Sequence, residues 1–228
     1  MIRPRFVDVT NGLWPDQALD RRLDRVLSQI HPEFSGFRDF QRRALRAVVR
    51  GFDAFLVAPT SAGKTLVLEV LPYLLKGTVI VVLPLVALQS MMAKELALTK
   101  HLTVLCECQA SAQEVNRALA SSFKNYHVVL CSAETALSRE WLNAFTSTAS
   151  KVRSIVVDEA HCVEQWYVHF RAPMYFLLTV RTRVGVFLLT PLSTWTSPCI
   201  SSTSHSPSLR FDLSMGSCTS LCLRPMYP

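Results

Sequence analysis

Short apolar runs alternate with stretches of helical character from residue 54 to residue 190. The strand-like runs occupy residues 54–59, 78–84, 103–106, 127–131, 154–161 and 184–190. They are mainly apolar and show no alternation of apolar and polar positions, as is typical of strands buried on both faces of a parallel sheet. The helical stretches between them occupy residues 64–77, 85–98, 111–123 and 133–145. The pattern therefore predicts an α/β fold with a parallel sheet that helices cover on both sides.

Two amphipathic helices are predicted before the first strand, over residues 15–30 and 41–51. Asp16 suits the N-cap of the first helix, and Gly51 suits the end of the second. The apolar residues that the helical period places on the inward faces are Leu19, Leu23, Val26, Leu27 and Ile30 in the first helix and Leu45, Val48 and Val49 in the second.

Composition and charge narrow the class of protein only a little. Half of the 228 residues are apolar, which is enough for a buried core, and the formal charge of +7 suits a partner rich in phosphate. The first ten residues lack the apolar core of a signal peptide, and no run of about 18 apolar residues could cross a membrane. We therefore expect an intracellular protein without a membrane partner.

The seven cysteines follow no regular framework, which fits a reducing compartment. Cys131 and Cys162 have the setting of small core residues. Two pairs, 106/108 and 218/222, each resemble half of a zinc site, but neither has a second pair at a suitable spacing. The pattern does not favour a zinc site.

The chain changes character after Thr190. Residues 191–228 are dominated by Ser, Thr, Pro and Cys, contain one acidic residue, Asp212, and show neither a helical nor a strand period. Two interpretations stay open, a disordered regulatory tail and an anomalous end such as a frame-shifted or mis-spliced terminus. We divide the chain into a helical lead-in (1–32), a compact α/β lobe (33–190) and this irregular tail (191–228).

The stretch APTSAGKT, residues 58–65, ends like a phosphate-binding loop. Lys64 supplies a cation for the β- and γ-phosphates, and Thr65 supplies a hydroxyl for Mg²⁺. A strand precedes the loop and a helix begins near Lys64, so backbone N–H groups and the helix dipole favour phosphate there. Ala58 stands where the P-loop pattern has glycine. The alternative is a polar strand-to-helix turn that happens to contain Gly-Lys-Thr.

A second motif, SIVVDEAHC, places Asp158 and Glu159 at the carboxyl end of a predicted strand. Ligands of α/β folds bind at this end of the strands. One carboxylate can hold a magnesium ion that bridges nucleotide phosphates, and its neighbour can polarise the attacking water. We assign the metal to Asp158 and the general base to Glu159. An acidic pair after a strand is often just a solvated strand end, but a P-loop 94 residues upstream makes chance co-occurrence a poor explanation.

Together the two motifs resemble motifs I and II of superfamily 2 helicases, in which alanine commonly replaces the first P-loop glycine. The stretch DEAHCVEQW, 158–166, is similar to RecQ-type DNA helicases in particular, where cysteine follows DEAH and Gln-Trp comes next. Residues 34–51 resemble the adenine motif of that family, 79–96 resemble motif Ia, and 130–137 resemble motif Ib with Ala133 in place of its usual proline.

The RecQ resemblance implies a RecA-like P-loop lobe that uses ATP and Mg²⁺. It implies the following roles: adenine binding by Phe34, Arg38 and Gln41; phosphate binding by Thr60, Ser61, Ala62, Gly63, Lys64 and Thr65; metal binding by Thr65 and Asp158; catalysis by Lys64, Asp158, Glu159 and His161; and coupling to DNA by Gln165, Trp166, Phe170 and Arg171.

The same resemblance implies an ATP-dependent 3′ to 5′ DNA helicase that acts on single-stranded or partly duplex DNA, and it implies a location in the nucleus. It covers residues 20–190, and we find no counterpart of the second RecA-like lobe, which in the family carries an arginine finger. In the coupling loop, Tyr167 replaces a usual glycine and Ala172 is an insertion. A non-catalytic remnant that binds nucleotide or a protein partner is the alternative. A GTPase or an ABC-type ATPase is disfavoured, because the sequence has no Asn-Lys-x-Asp and no Leu-Ser-Gly-Gly-Gln motif.

Overall fold

The computed structural model describes residues 17–52, 54–58, 62–98, 102–147, 150–159, 185–191 and 220–221. Asp16 and Cys162 lie outside these ranges. The helices are α1 (Gln17–Ile30), α2 (Asp39–Val49), α3 (Lys64–Leu75), α4 (Val86–Leu98), α5 (Ala112–Ala120), α6 (Ala133–Ala136) and α7 (Arg139–Thr146). The strands are β1 (Ala54–Ala58), β2 (Thr78–Val82), β3 (Val104–Cys106), β4 (Val128–Cys131), β5 (Val152–Val157), β6 (Gly185–Pro191) and β7 (Ser220–Leu221).

The strands form one sheet in the order β3-β4-β2-β5-β6-β1-β7. All neighbouring pairs among β1 to β6 are parallel, and β7 pairs antiparallel with β1 at the edge. The predicted parallel sheet is therefore confirmed. The two-residue strand β7 was not predicted, because the sequence around it shows no strand period.

Two hydrophobic clusters cover the two faces of the sheet. Val79 and Val81 of β2 face the cluster formed with α1 to α4, while Ile80 and Val82 face the cluster formed with α5 to α7. Because successive residues of a strand point to opposite faces, a continuous apolar run is what two covered faces require. The second cluster contains three aromatic rings in tilted and edge-to-face contact, Phe123, Trp141 and Phe145.

The two N-terminal helices pack as their periods predict. Leu19, Leu23 and Leu27 of α1 are buried, and Leu45 and Val48 of α2 are buried with them. Val26, Ile30 and Val49 are partly buried against the same cluster. The polar sides of the helices are joined by ion pairs from Arg42 and Arg46 to Asp20, and the bond to Arg46 holds the pKa of Asp20 below its usual range despite partial burial.

Several predicted boundaries differ from the observed ones. The helix predicted over 111–123 ends at Ala120, because Ser122 and Phe123 adopt positive φ (49° and 61°) and turn the chain so that Phe123 becomes buried. The helix predicted over 133–145 is two helices, with Ser138 as the N-cap of the second. The strand predicted over 154–161 covers Val152–Val157.

In the turn after α3, Gly77 is needed because a side chain would not fit there. Lys76, and not Gly77, has the left-handed conformation at the end of α3 (φ 53°, ψ 50°). A Cβ on Gly77 would lie 2.4 Å from the carbonyl oxygen of Lys151 and 2.4 Å from Cγ of Arg153. Gly77 therefore allows β2 to approach the start of β5. None of the helices in the described ranges combines the length and apolar character of a membrane span.

Candidate functional site

The sheet brings the two sequence motifs to the same edge. Strands β1 and β5 both pair in parallel with β6, so their carboxyl ends point the same way. Ala58 is level with Pro191, and Val157 is level with Leu188. Neighbouring strands lie about 4.8 Å apart, which places β1 and β5 roughly 10 Å from each other across β6. The loop after β1 and the acidic pair after β5 therefore flank the end of one intervening strand.

The first part of the site is the turn that begins α3. Gly63 is the N-cap of α3 and has a left-handed backbone (φ 86°, ψ 36°), and a Cβ there would lie 2.9 Å from Nε2 of Gln41. Both facts favour glycine at this position. Lys64 is the first residue of α3, and its Nζ donates to the carbonyl oxygen of Ala58 at 3.1 Å. The lysine side chain therefore reaches back to the last residue of β1.

The start of α3 is suited to an anion. The first N–H groups of a helix have no partner within it, and the helix dipole adds positive potential at that end. Lys64 adds a full charge, and Thr65, which is partly buried, adds a hydroxyl oxygen of the type that binds Mg²⁺. These groups fit a nucleoside triphosphate with its magnesium ion.

Gln41 connects α2 to this turn. Its side chain is 3% exposed, its Oε1 accepts from the backbone N–H of Arg38 at 2.8 Å, and its Nε2 donates to the carbonyl oxygen of Gly63 at 2.7 Å. The first bond caps the start of α2, since Arg38 is the N-cap of that helix. The second bond ties the predicted adenine motif to the predicted phosphate loop. Ala62, beside Gly63, is buried.

The acidic pair follows β5 directly. The backbone N–H of Asp158 donates to the carbonyl oxygen of Val82 at 3.0 Å, so Asp158 extends the pairing of β5 with β2. Oδ1 of Asp158 accepts from the backbone N–H of Glu159 at 3.0 Å. Glu159 has a positive φ of 53°, which is uncommon for a residue other than glycine. The backbone thus turns sharply between the two carboxylates, and both side chains are partly buried.

Phe34 and Arg38 lie in the segment between α1 and α2. Phe34 is 47% exposed, and one face of its ring stacks on His31 with the ring centroids 5.0 Å apart and an angle of 22° between the planes. Arg38 is exposed. Gln41 connects this segment to Gly63 at one end, so the segment lies next to the start of α3.

The structure thus brings together Gln41, Ala62, Gly63, Lys64 and the segment with Phe34 and Arg38, and it places Asp158 and Glu159 at the same sheet edge. The other predicted residues, Thr60, Ser61, His161, Gln165, Trp166, Phe170 and Arg171, lie outside the described residues, so their roles stay predictions.

Of the two cysteine pairs, 106/108 lies in the described ranges and 218/222 does not; within those ranges no three His, Cys, Asp or Glu side chains are grouped as metal ligands. Cys106 and Cys108 have their sulfur atoms 3.3 Å apart. Burial, and then the neighbouring Cys108, raises the pKa of Cys106 to about 12, which disfavours the thiolate that binds metals. Cys131 is buried, as the sequence predicted.

Sequence reasoning missed the contacts of His31. Its Nε2 lies 2.5 Å from Oε2 of Glu69 on α3, and its Nδ1 lies 2.9 Å from Oε1 of Glu33. A signal was present, because Glu69 is a single carboxylate in the otherwise uncharged run 66–75. Such a residue on a helix that packs into the core needs a partner.

Comparison with known proteins is consistent with this architecture. The chain is 35% identical over 164 residues to ATP-dependent DNA helicase Q-like 5 of Arabidopsis thaliana, and this match covers 71% of the chain and 18% of the relative. It is 29% identical over 171 residues to ATP-dependent DNA helicase RecQ of Synechocystis, and this match covers 74% of the chain and 34% of the relative. The chain therefore spans about a fifth to a third of the length of these two relatives.

Among solved structures, the UvsW helicase from bacteriophage T4 matches with a TM-score of 0.54 and 17% identity, over 78% of this chain and 64% of that chain. At this identity the likeness concerns the fold, and it confirms the RecA-like architecture. The resemblance to RecQ-type helicases is confirmed by the curated relatives. The family model of the DEAD/DEAH box helicases matches residues 38–190, which is well over half of the chain. The chain therefore belongs to the DEAD/DEAH box helicase family.

Proposed function

We propose that the chain is the ATP-binding lobe of a RecQ-type helicase, which binds and hydrolyses ATP with Mg²⁺ and couples hydrolysis to 3′ to 5′ movement on single-stranded DNA. The observation that carries the proposal is the sheet order. It places the start of α3, with Lys64, and the pair Asp158 and Glu159 on the two sides of β6, at the carboxyl edge where α/β folds bind ligands.

The phosphates of ATP bind at the start of α3. Backbone N–H groups of Thr60, Ser61 and Ala62 would bind them, and Lys64 would contribute a positive charge. Thr65 and Asp158 would hold the magnesium ion, which supplies neutralisation of charge on the phosphate oxygens. Glu159 would orient the attacking water, next to Asp158 at the sharp turn that follows β5.

Adenine recognition is assigned to Phe34, Arg38 and Gln41. The Gln41 carboxamide has two hydrogens and two acceptor positions, and its contacts with Gly63 and Arg38 use one of each. The remaining donor and acceptor match N7 and N6 of adenine, the bidentate pairing that glutamine makes with this base. The exposed face of Phe34 offers an apolar surface on which the base stacks.

DNA is the proposed partner, on the basis of the relatives' names, since both are called DNA helicases. Gln165, Trp166, Phe170 and Arg171 would contact the single strand by stacking and by charge, and His161 would connect this loop to the ATP site. A helicase of chromosomal DNA works in the nucleus of a eukaryotic cell, where we expect the protein. Because the chain spans a fraction of its relatives, unwinding requires a second lobe that residues 33–190 do not contain.

The test is release of phosphate from ATP by the full chain, with and without single-stranded DNA. An arginine finger supplied by another domain contributes on the order of 10³- to 10⁵-fold in rate, so slow turnover is expected and single-turnover conditions are needed. Single-stranded DNA should raise the rate. Lys64→Ala and Glu159→Gln should each lower the rate by about 10²- to 10³-fold, as is common when one transition-state contact is removed.

Lys151→Ala and Glu140→Gln serve as matched controls. Lys151 is exposed just before β5, at the opposite edge of the sheet, and Glu140 is exposed on α7. Both controls should hydrolyse ATP like the wild type. Retained ATP binding without any stimulation by DNA, and with no effect of Glu159→Gln, would contradict the proposal and favour a non-catalytic nucleotide-binding remnant.

A further inference from the structure

His31 occupies a junction between three parts of the molecule. It directly follows α1, and its backbone N–H donates to the carbonyl oxygen of Leu27 at 2.7 Å. Its Nε2 contacts Glu69 on α3 at 2.5 Å, and its Nδ1 contacts Glu33 of its own segment at 2.9 Å. Glu69 is one turn beyond the residues that begin α3. His31 therefore attaches the segment between α1 and α2 to the helix that presents Lys64.

The two contacts favour the charged form of the ring. A neutral imidazole has one N–H donor, whereas the imidazolium has two, and here both ring nitrogens face carboxylate oxygens. Burial alone would lower the pKa of His31, but the hydrogen bonds to Glu33 and Glu69 outweigh it and the pKa is raised. The Glu69 side chain is 12% exposed, so its charge also needs this partner. Tyr73, on the same helix, lies near enough to Glu69 for the carboxylate to add to the effect of burial in raising its pKa.

Phe34 rests on the ring of His31. The centroid distance of 5.0 Å and the angle of 22° correspond to a stacked pair, and the backbone N–H of Phe34 donates to the carbonyl oxygen of His31 at 3.1 Å. A cation within about 6 Å of an aromatic ring is attracted to its face. The charged His31 thus holds Phe34 from one side, while the ring as a whole stays 47% exposed for a second stacking partner.

We propose that His31 is a positioning residue for ATP: its imidazolium, held by Glu33 and Glu69, fixes the Phe34 ring so that adenine stacks on the ring's other face. This inference rests on the proposed function, in which Phe34 contacts the base. It adds a regulation of that contact. The stacking contact with the base is strong only while His31 is charged, and the affinity for the base falls as the charge is lost.

The sign of the pH effect follows from the raised pKa. Below it, His31 is charged, both carboxylates are paired and Phe34 is held. As the pH rises through this folded-state pKa, one hydrogen bond and the cation under the ring are lost together. The affinity for ATP should then fall by about 2- to 30-fold, the range of cation–π contacts, while binding of the phosphates should not change for this reason.

The experiment measures dissociation constants of the full chain for Mg·ATP and for Mg·tripolyphosphate, which has the phosphates without the base, by calorimetry from pH 6 to 9. Tripolyphosphate has one more terminal phosphate than ATP, so the ratio of the two constants is compared at each pH with the same ratio in Phe34→Ala, which shares this difference. Relative to Phe34→Ala, the preference of the wild type for ATP should decline with pH. The preference should be weaker by about 5- to 150-fold in Phe34→Ala, the range measured for loss of one base stack.

Variants at the histidine separate charge from bulk. His31→Gln should reduce the preference for ATP at low pH to the high-pH value of the wild type. His31→Lys keeps a cation and should keep the preference up to pH 9. Glu69→Gln and Glu33→Gln should each move the decline to lower pH. The double variant His31→Gln/Phe34→Ala should bind ATP as Phe34→Ala does, because His31 acts through Phe34.

Three outcomes overturn the inference: additive losses in the double variant, equal losses of ATP and tripolyphosphate in His31→Gln, or the same pH profile in the wild type and Phe34→Ala. The last comparison leaves His31 unchanged, so it tests the inference even if circular dichroism shows that the His31 variants are unfolded.

The variant Lys64→Ala distinguishes failure of the positioning role from failure of the proposed function. If it loses ATP while His31→Gln does not, the positioning role fails alone; if it binds both ligands normally, the ATP site and the positioning role fail together.

Discussion

Replacing Gln41 by alanine separates its proposed role in base recognition from the structural role of this side chain. In the structure the carboxamide donates to Gly63 and accepts from Arg38, which leaves one donor and one acceptor. Adenine presents an acceptor at N7 and a donor at N6, and a bidentate contact of this kind discriminates by about 1–3 kcal/mol against the wrong base. Guanine presents two acceptors at the same edge, so one of the two contacts is lost. Gln41→Ala should therefore reduce the preference for ATP over GTP by about 5- to 150-fold.

A second loss is common to both nucleotides. Without the bonds to Gly63 and Arg38, the turn before α3 and the start of α2 each lose a contact worth about 0.5–1.5 kcal/mol. Part of this loss lowers the affinity for any triphosphate, since the backbone N–H groups of the turn are held less firmly. The two effects are distinguishable because the first changes the ratio of the ATP and GTP affinities and the second does not.

The assay is displacement of a fluorescent nucleotide by Mg·ATP and by Mg·GTP, for the wild type, Gln41→Ala and the matched control Gln113→Ala. Gln113 is exposed on α5, on the opposite face of the sheet, and its variant should behave like the wild type. Equal proportional losses of ATP and GTP in Gln41→Ala would refute base recognition by Gln41 and leave it the structural role alone.

Two further substitutions test the packing. The Gln89 side chain on α4 is 0% exposed, and neither of its polar atoms has a hydrogen-bond partner among the described residues. Gln89→Met should therefore raise the free energy of unfolding by about 1–3 kcal/mol in urea titrations, and the control Gln113→Met should leave it nearly unchanged. A decrease of similar size in Gln89→Met would mean that Gln89 has a partner. Gly77→Ala should lower the free energy of unfolding by about 1–3 kcal/mol, because the added Cβ would lie 2.4 Å from a backbone oxygen. The control Gly36→Ala, whose added Cβ would have no atom within 4 Å, should change it little. Equal effects of the two glycine variants would contradict this explanation.

The elements of the fold were largely predictable because each one has a local signal, a helical period in the helices and a continuous apolar run in the strands. The continuous apolar runs predicted buried strands, and β1 to β6 all occur where such runs were found. The errors fall where the backbone turns without glycine or proline. Ser122 and Phe123 end α5 in a left-handed conformation that tertiary burial of Phe123 stabilises, and this has no local signal in the sequence.

The candidate site was predictable where it consists of local motifs. Gly63, Lys64 and the acidic pair were found by residue type and by the predicted strand before each. The bond from Gln41 to Gly63 and the contact of His31 with Glu69 were not found, because the partners are 22 and 38 residues apart and belong to separate elements. The sequence shows each partner as a polar residue without saying what it touches.

The sequence by itself determined the α/β class, the glycine-containing turn that begins α3, the position of the carboxylates after a strand and the family resemblance, since all of these depend on neighbouring residues or on a short period. The tertiary structure decided the order of the strands, and with it the insertion of β6 between β1 and β5 that sets the spacing of the two motifs. It also decided that Phe34 stacks on a histidine held by two carboxylates. The physical reason is that strand pairing and side-chain contacts between elements depend on how whole faces fit together, whereas hydrophobic period and turn chemistry act within a few residues.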